Sequence, residues 1–286
     1  MRRLLCHKNC KPVFQILNHD LFFRSNNFNS IQSNNLVTKI LLHGDVIKLN
    51  FGGFVPLSTV DWRGRSVCTI FFRGCPVRCT YCQNSLILSG EDLREIDEIT
   101  EMIKSSLLAI SGVVFSGGEP TMQKEALISL ARVAKGMGLA TCVQTNGVYP
   151  DTLSVLISER LIDRVALDIK ARWARYNNLL GGNYVKNVQR SLELCKQAHA
   201  TGALSEFEVV ITLFRGYDDE VPIIASEAGT VDIVLQQGVT QQVPPLSEKE
   251  MKKIADDMCR SVKIRTREGG EIVYESDRSR RAARKR

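Results

Sequence analysis

Three cysteines lie close together in the stretch 74–84, where Cys75, Cys79 and Cys82 have the spacing C-x3-C-x2-C. The stretch follows a strand-like apolar run and opens with a glycine, so we expect a loop. A closed zinc site needs four ligands, and a [4Fe–4S] cluster usually takes four thiolates, so three thiolates leave one iron open to a reactant. The alternatives are a zinc knuckle with a distant fourth ligand, or buried thiols grouped by chance.

Two polar motifs follow later strand-like runs. In Ser116–Pro120, Gly117 and Gly118 let the backbone approach a ligand closely, and Glu119 can meet an ammonium group. A Gln-Thr-Asn-Gly stretch at 144–147 ends the next run. In parallel α/β folds, function gathers at the carboxyl ends of the strands. The two motifs therefore predict one shared site, although each could also be a simple turn.

Charged residues alternate with apolar ones in the run Arg164–Lys170. Because side chains in a strand alternate between faces, Asp168 and Lys170 share one face with Ala166, while the apolar residues share the other. The apolar face should meet the outer helices. Burying the two charges costs free energy unless they pair or meet a ligand. They predict either a structural ion pair or a ligand-binding pair inside the fold.

Strand and helix patterns alternate through the middle of the chain, which indicates parallel βαβ units. Gly52 and Gly53 predict a turn, and Ser247 and Glu250 predict a helix with a capping box. A terminal hairpin is expected over 263–274. Strands are expected near 67–72, 112–115, 139–145, 164–169, 207–214 and 231–236, and helices near 96–107, 127–136, 151–157 and 188–195.

The cysteine spacing, with Tyr81 just before the last cysteine, resembles the signature of the radical S-adenosylmethionine (SAM) superfamily. Within it, the chain is similar to the activating proteins of anaerobic ribonucleoside-triphosphate reductase, from about Val46 to about Tyr274. The resemblance implies an α/β fold of the radical SAM kind, a partial (β/α)6 TIM-type barrel open on one side.

The same resemblance implies roles for single residues. The three cysteines hold a [4Fe–4S] cluster, whose open iron is chelated by SAM, and the Gly-Gly-Glu motif contacts the SAM amino group. Tyr81 either flanks the adenine or packs beneath the cluster. The remaining residues implied to lie near SAM are Thr145, Asn146, Asp168 and Lys170.

The chain also departs from these activases. They usually have proline where Arg63 stands, and several have an acid that helps to bind a cation where Gln144 stands. Their Arg-Thr-Thr pattern is missing from the run 207–214, where Glu208 and Thr212 remain as substrate-side candidates. The sequence therefore leaves open whether a cation binds near Gln144.

The implied reaction is reductive cleavage of SAM to methionine and a 5′-deoxyadenosyl radical, which installs a glycyl radical on an anaerobic ribonucleotide reductase. The electron comes from an external donor of the flavodoxin or ferredoxin type. The alternatives are a radical SAM enzyme acting on a small molecule or nucleotide, and a non-catalytic iron–sulfur or zinc module.

The composition of the 286 residues is ordinary for a globular protein, and no apolar run is long enough to span a membrane. Nine cysteines without a dense framework indicate a reducing, cytoplasmic location, with Cys68, Cys142 and Cys195 as core residues. The net charge of +7 lies largely at the ends and does not favour nucleic acid.

The ends of the chain differ from the rest. Residues 1–45 are rich in Asn and Ser and poor in acids, which predicts a non-core extension, with a targeting segment or a misassigned start as alternatives. We expect the radical SAM domain over 46–275 and a basic tail over 276–286.

Overall fold

The computed structural model describes residues 46–79, 81–216, 219–239 and 244–276. The predicted N-terminal extension, residues 1–45, lies outside the described residues, as does the basic tail after Ser276. Within the described ranges, no helix has both the length and the apolar content that crossing a membrane requires.

In the described ranges, ten strands form one sheet in the order β10-β9-β8-β7-β6-β5-β4-β2-β1-β3. The strands are β1 Lys48–Ser58, β2 Val67–Phe72, β3 Leu93–Glu95, β4 Gly112–Gly117, β5 Ala140–Thr145, β6 Arg164–Asp168, β7 Glu206–Leu213, β8 Asp232–Gln237, β9 Ser261–Thr266 and β10 Gly270–Glu275.

Seven α-helices connect and cover these strands in the described part of the chain. They are α1 Ile96–Ser106, α2 Lys124–Gly136, α3 Pro150–Ser158, α4 Trp173–Leu180, α5 Val185–Ala200, α6 Val221–Ala228 and α7 Glu248–Asp257. Two short 3-10 helices, Ser85–Ile87 and Pro120–Met122, follow the cysteine loop and β4.

The predicted α/β fold is confirmed, and its sheet is larger than expected. The six predicted core strands β2 and β4–β8 pair in parallel, and β9 joins β8 as a seventh parallel strand. The predicted terminal hairpin therefore extends the barrel wall. Phe71 on β2 and Arg265 on β9 line the same cavity although five strands separate them, which shows that the sheet curves into a partial barrel.

The two faces of the strands divide as alternation predicts. Val165, Leu167 and Ile169 on the outer face are fully buried in the main apolar core, which the helices cover. On the inner face, Ala166 packs against Val210 and Val234. Apolar burial of this kind is the main favourable term in folding, so the packing of the helices on the outer face stabilises the barrel, and small apolar clusters fill part of its interior.

Two local predictions have opposite outcomes. The turn predicted at Gly52 and Gly53 is wrong, because both residues lie within β1, where the register with β2 shifts at a bulge. The capping box is confirmed, since Ser247 accepts a hydrogen bond from the Glu250 amide and the Glu250 side chain accepts one from the Ser247 amide.

The loop between β1 and β2 fills the amino-terminal end of the barrel. Trp62 is 2% exposed and packs on Val67 and Cys142 inside the barrel. Its Nε1 donates to the Glu206 carboxylate at 3.1 Å. This plug leaves the opposite end of the barrel, where the parallel strands terminate, as the place for a ligand.

Candidate active site

A cavity of about 490 Å³ lies at the carboxyl ends of the parallel strands. The cysteine loop forms one part of its wall, and the β9–β10 hairpin forms another. Ten of the eleven predicted site residues line it, namely Cys75, Cys79, Tyr81, Cys82, Gly117, Gly118, Thr145, Asn146, Asp168 and Lys170. Strand ends far apart in the sequence therefore meet around one space.

The cysteine loop is held against the end of β4 by backbone contacts. The Glu119 amide donates to the Gly74 carbonyl at 2.9 Å, and the Gly118 amide donates to the Phe72 carbonyl at 2.8 Å. A Cβ atom on Gly118 would lie 2.1 Å from the Gly74 carbonyl oxygen, and one on Gly117 would lie 2.4 Å from the backbone of Phe72. The two glycines thus allow the strand end to touch the chain's own loop, as well as lining the cavity.

The three cysteine thiols are half-buried and free. Burial raises the pKa of Cys75 to about 11 and also raises the pKa of Cys79. A raised pKa favours the protonated thiol. Metal binding favours the thiolate instead, because a metal ion binds the thiolate and the proton is released.

The donor set suits a cluster better than a single ion. In the described part of the chain, no three His, Cys, Asp or Glu side chains converge closely enough to ligate one metal ion. In a cubane cluster each cysteine binds a different iron. The three cysteine sulfurs therefore need only surround the space that the cluster would occupy. Three half-buried thiols on the wall of one cavity meet that requirement.

Glu119 lies apart from the cavity that the other ten predicted site residues line. Its side chain is fully buried and does not line the cavity. The carboxylate accepts from the Thr145 hydroxyl at 2.7 Å, the Asn146 amide at 2.8 Å and the Thr121 amide and hydroxyl. Burial raises its pKa, and these donors oppose that shift. Glu119 therefore ties the ends of β4 and β5 together, and its contact with the SAM amino group stays a prediction.

Asn146 connects this tie to the cysteine loop. Its backbone amide donates to Glu119, and its side-chain oxygen accepts from the Val148 amide at 3.1 Å. With its oxygen held in this way, the side-chain Nδ2 donates to Cys75 Sγ at 3.6 Å. Asn146 therefore donates a hydrogen bond to a cysteine thiol and also lines the cavity.

Asp168 and Lys170 face the cavity together, as strand alternation predicts. Lys170 Nζ lies 3.2 Å from the Asp168 carboxylate. Burial alone would lower the pKa of Lys170, but Asp168, Tyr81 and Cys79 outweigh it and hold this pKa well above its usual value. Lys170 therefore remains a cation beside the cysteines.

Tyr81 lies between the cysteine loop and the far strands. Its ring centroid is 4.6 Å from that of Phe214, after β7, and its hydroxyl donates to the Lys170 carbonyl at 3.4 Å. Burial raises its pKa. The ring contacts Phe214 and lines the cavity, and its role beside the adenine or beneath the cluster stays a prediction.

The sequence left the roles of three residues undecided, and they lie in different places. These residues are Gln144, Thr212 and Glu208. Gln144 accepts from the Ser116 hydroxyl at 2.7 Å and lines the cavity, as does Thr212. Glu208 is buried away from the cavity, in ion pairs with Arg164, Arg265 and Lys263. It thus ties β6 and β7 to the hairpin and is not a substrate-side residue.

The sequence alone missed two contributions to the site. Asn84, just after the last cysteine, donates to the Gly117 carbonyl at 2.8 Å and joins the loop to β4. The β9–β10 hairpin adds Arg265, Arg267 and Glu271 to the cavity wall. In the sequence, a charged hairpin looks like a solvent-exposed edge of a sheet. Only the parallel pairing of β9 with β8 shows that one face of the hairpin lines the cavity.

The other three cysteines expected in the core are fully buried there. Burial raises the pKa of Cys68, Cys142 and Cys195 to about 12 in each case. None lines the cavity, so each is a matched reference for the three loop cysteines.

Residues 69–226 match the family described as the Radical SAM superfamily. A protein of Methanocaldococcus jannaschii named "Putative glycyl-radical enzyme activating enzyme" is 36% identical over 53% of this chain and 65% of its own length. A protein of Pyrococcus abyssi named "Probable GTP 3′,8-cyclase" is 28% identical over 62% of this chain and 58% of its own length. The chain thus spans less than two thirds of each of these curated relatives.

A solved structure of TYW1 with a lysine–pyruvate adduct bound has the same fold. It superposes with a TM-score of 0.55 at 17% identity, covering 74% of this chain and 80% of the other. At this identity the likeness supports the architecture alone.

Proposed function

Because this chain belongs to the radical SAM superfamily, which uses a [4Fe–4S] cluster and SAM, we propose that it activates a glycyl-radical enzyme. The observation that carries the proposal is the 36% identity to the relative of that name, the higher of the two identities reported above. The site geometry is compatible with it, since the cysteine loop, Lys170 and the glycines of β4 share one cavity.

In this proposal Cys75, Cys79 and Cys82 hold the cluster, and Lys170 attracts the SAM carboxylate. The backbone at Gly117 and Gly118 lines the space for SAM, while the Trp62 plug closes the barrel behind it. When bound, the two cofactors supply the one-electron cleavage that releases methionine and a 5′-deoxyadenosyl radical, which takes the hydrogen atom from a glycine. The electron comes from an external donor of the flavodoxin or ferredoxin type.

The proposed partner is an anaerobic ribonucleoside-triphosphate reductase. Its support is the resemblance of the segments around Trp62, Gly118 and Lys170 to the activating proteins of that reductase. A folded partner must bring a backbone glycine to the cavity. A sheet whose edge strands β3 and β10 do not pair with each other is consistent with such access.

The experiment combines the reconstituted protein, SAM, a reductant and the reductase under anaerobic conditions. We expect a glycyl doublet in electron paramagnetic resonance only when both proteins and SAM are present. A glycine-to-alanine change at the partner's radical position should remove the doublet. Absence of a protein radical on the reductase and on other glycyl-radical enzymes would contradict the proposal.

The second candidate function is radical chemistry on a small molecule or nucleotide. The relative named as a GTP cyclase favours it, because it matches more of this chain, 62%, than the activating relative does. This candidate predicts abundant 5′-deoxyadenosine with GTP or a similar substrate and no radical on any partner. A product assay with the same protein preparation separates the two functions.

A further inference from the structure

A row of polar side chains crosses the cavity wall on four neighbouring strands. Thr212 on β7 pairs in register with Gln236 on β8, and Gln236 pairs with Arg265 on β9. Arg265 pairs in turn with Glu271 on β10. All four residues line the cavity. Because paired residues of neighbouring strands lie side by side on one face of a sheet, the register itself brings these four side chains together.

The Arg265 guanidinium is fixed in this row by two carboxylates. Its Nε and Nη2 donate to Glu271 at 2.9 and 2.6 Å, and Nη2 also lies 3.4 Å from the Glu208 carboxylate. The hairpin that carries Glu271 is held by Arg63, which donates to the Glu271 carbonyl at 3.1 Å. The remaining guanidinium nitrogen, Nη1, donates to Gln236 Oε1 at 3.4 Å.

This last contact determines which way the Gln236 carboxamide faces. A guanidinium has N–H donors and no acceptor, so the atom turned toward it must be the amide oxygen. The amide nitrogen Nε2 then has no acceptor among the described residues, and the Thr212 hydroxyl on the neighbouring strand forms no hydrogen bond with any of them. Two available donors therefore lie next to each other on the cavity wall.

The surroundings of these two donors favour a neutral ligand over an anion. Arg265, the cation that Gln236 contacts, is already paired with two carboxylates. Val210 and Val234 lie one inward position before the two donors on β7 and β8, and they belong to an apolar cluster. A low local dielectric constant strengthens a hydrogen bond formed there. A carbonyl oxygen has two lone pairs, so it can accept from both donors at once.

We propose that Gln236 and Thr212 bind a main-chain carbonyl oxygen of the substrate, next to the target glycine. The inference rests on the proposed function, which makes the substrate a peptide segment. The donors lie on β7 and β8, whereas the cysteine loop follows β2, at the other end of the row of parallel strands. The two donors hold the main chain without reading a side chain, and Arg265 and Glu271 are positioning residues behind them.

The test measures binding of labelled peptides to the holoenzyme with SAM and without reductant. The peptides copy the segment around the radical glycine of the reductase, and in each one a single carbonyl oxygen is replaced by sulfur, a weaker acceptor. We expect one such thioamide to weaken binding to the wild type about fivefold. Gln236→Leu should weaken the unsubstituted peptide by about the same factor and should no longer distinguish it from that thioamide.

The matched pair of variants at position 212 is Thr212→Val and Thr212→Ser. Valine keeps the shape and removes the hydroxyl, whereas serine keeps the hydroxyl, so only Thr212→Val should lose affinity and discrimination. This pair keeps the test decisive if Gln236→Leu fails to fold. Glu271→Gln, which releases Arg265 from the hairpin, should reduce the same discrimination, whereas Glu268→Gln at the exposed hairpin turn should not.

Three results would overturn the inference. One is equal affinity of the wild type for the unsubstituted peptide and every thioamide peptide, and another is an equal loss in Thr212→Val and Thr212→Ser. The third is lost SAM affinity in Gln236→Leu, which would assign the donors to the cofactor. GTP provides a further arm, because its guanine carbonyl offers the same acceptor. Binding of GTP that depends on Gln236, with peptide binding unaffected, would overturn the peptide assignment.

Failure of the inference can be told apart from failure of the proposed function. A glycyl radical that forms on the reductase with wild-type rate and KM in both Gln236→Leu and Thr212→Val would sink the carbonyl site and leave the activase function intact. Peptide binding that depends on one carbonyl and on Gln236, without a glycyl radical on any partner, would support the site and contradict the activase function.

Discussion

The side-chain amide of Asn146 donates a hydrogen bond to the sulfur of Cys75, at 3.6 Å. The amide is oriented by the Val148 amide on one side and by the Glu119 tie behind it. Hydrogen bonds to the sulfurs of an iron–sulfur centre help to set its reduction potential, since they stabilise the extra negative charge of the reduced state. Asn146 is thus placed to influence how readily a bound cluster accepts an electron.

We predict that Asn146→Asp makes the cluster potential more negative. Aspartate keeps the oxygen that accepts from Val148, but it removes the donor to Cys75 and adds a negative charge. The measurement is a spectroelectrochemical titration of the SAM-free holoenzyme at equal iron content. Asn84→Ala is the control, because Asn84 donates to the Gly117 carbonyl and, among the residues that the structure describes, to no thiol. An unchanged potential in Asn146→Asp would refute the prediction.

Replacing any one of Cys75, Cys79 or Cys82 by alanine should remove most of the iron and all SAM cleavage. Each would supply one of three thiolates, and two cannot hold the cluster. Iron analysis and the visible spectrum of anaerobically purified protein provide the measurement. Alanine at the buried Cys68, Cys142 or Cys195 should retain the iron. Zinc in the purified wild-type site, or iron loss in Cys68→Ala as complete as in Cys79→Ala, would show the assignment to be wrong.

Lys170→Met should weaken SAM binding about tenfold while leaving the iron content nearly unchanged. Methionine keeps the length of the side chain and removes the cation that faces the cavity beside Asp168. The measurement is an equilibrium titration of the holoenzyme with SAM. Lys196→Met, in a surface ion pair on α5, is the matched control. Normal SAM affinity in Lys170→Met would indicate that the Asp168–Lys170 pair has a structural role only.

Glu119→Gln should lower the unfolding free energy by about 2–3 kcal/mol, even without cluster and SAM. The buried carboxylate accepts from two backbone amides and two hydroxyls, and a glutamine would turn an NH₂ group toward some of those donors. Denaturant unfolding of the cluster-free protein checks this, with the exposed Glu125→Gln as control. Full stability combined with lost SAM affinity would instead support a direct ammonium contact.

The stability that Glu250 contributes should disappear at low pH. Hydrogen bonds from Arg215 and Ser247 lower the pKa of Glu250 to about 2. A lowered folded-state pKa means that this contribution is complete above the ordinary pKa of glutamate and is lost as the pH falls toward 2. In urea unfolding, the difference in unfolding free energy between the wild type and Glu250→Gln should therefore become smaller from pH 7 to pH 3. A constant difference would contradict this, and Glu268→Gln on the exposed hairpin turn is the control.

Much of the fold could be predicted because periodicity and burial agree. The outer face of β6 and the apolar faces of α1 and α2 lie where their sequence patterns place them. Helix α4 was missed although Trp173, Tyr176 and Leu180 have helical spacing, since a single short amphipathic pattern is weak evidence alone. The parallel pairing of β9 with β8 depends on long-range register, which no local pattern specifies.

The site could be predicted only in part. Residue types and strand ends placed ten of the eleven candidates on one cavity. The orientation of Glu119 could not be predicted, because it depends on donors from Thr121, Thr145 and Asn146 that gather only in the folded structure. The contact of Arg63 with the hairpin was missed for a similar reason, since Arg63 meets Glu271 across 208 positions of sequence.

That contact from Arg63 to the hairpin also has a consequence during synthesis of the protein. The cysteine loop leaves the ribosome long before β9 and β10, so a nascent chain displays its three thiols while one wall of the cavity does not yet exist. Long-range pairing of this kind forms late, because the entropy of closing the loop must be overcome first. Iron delivered before release would meet open, solvated thiols, whereas iron delivered after release would meet a shaped pocket.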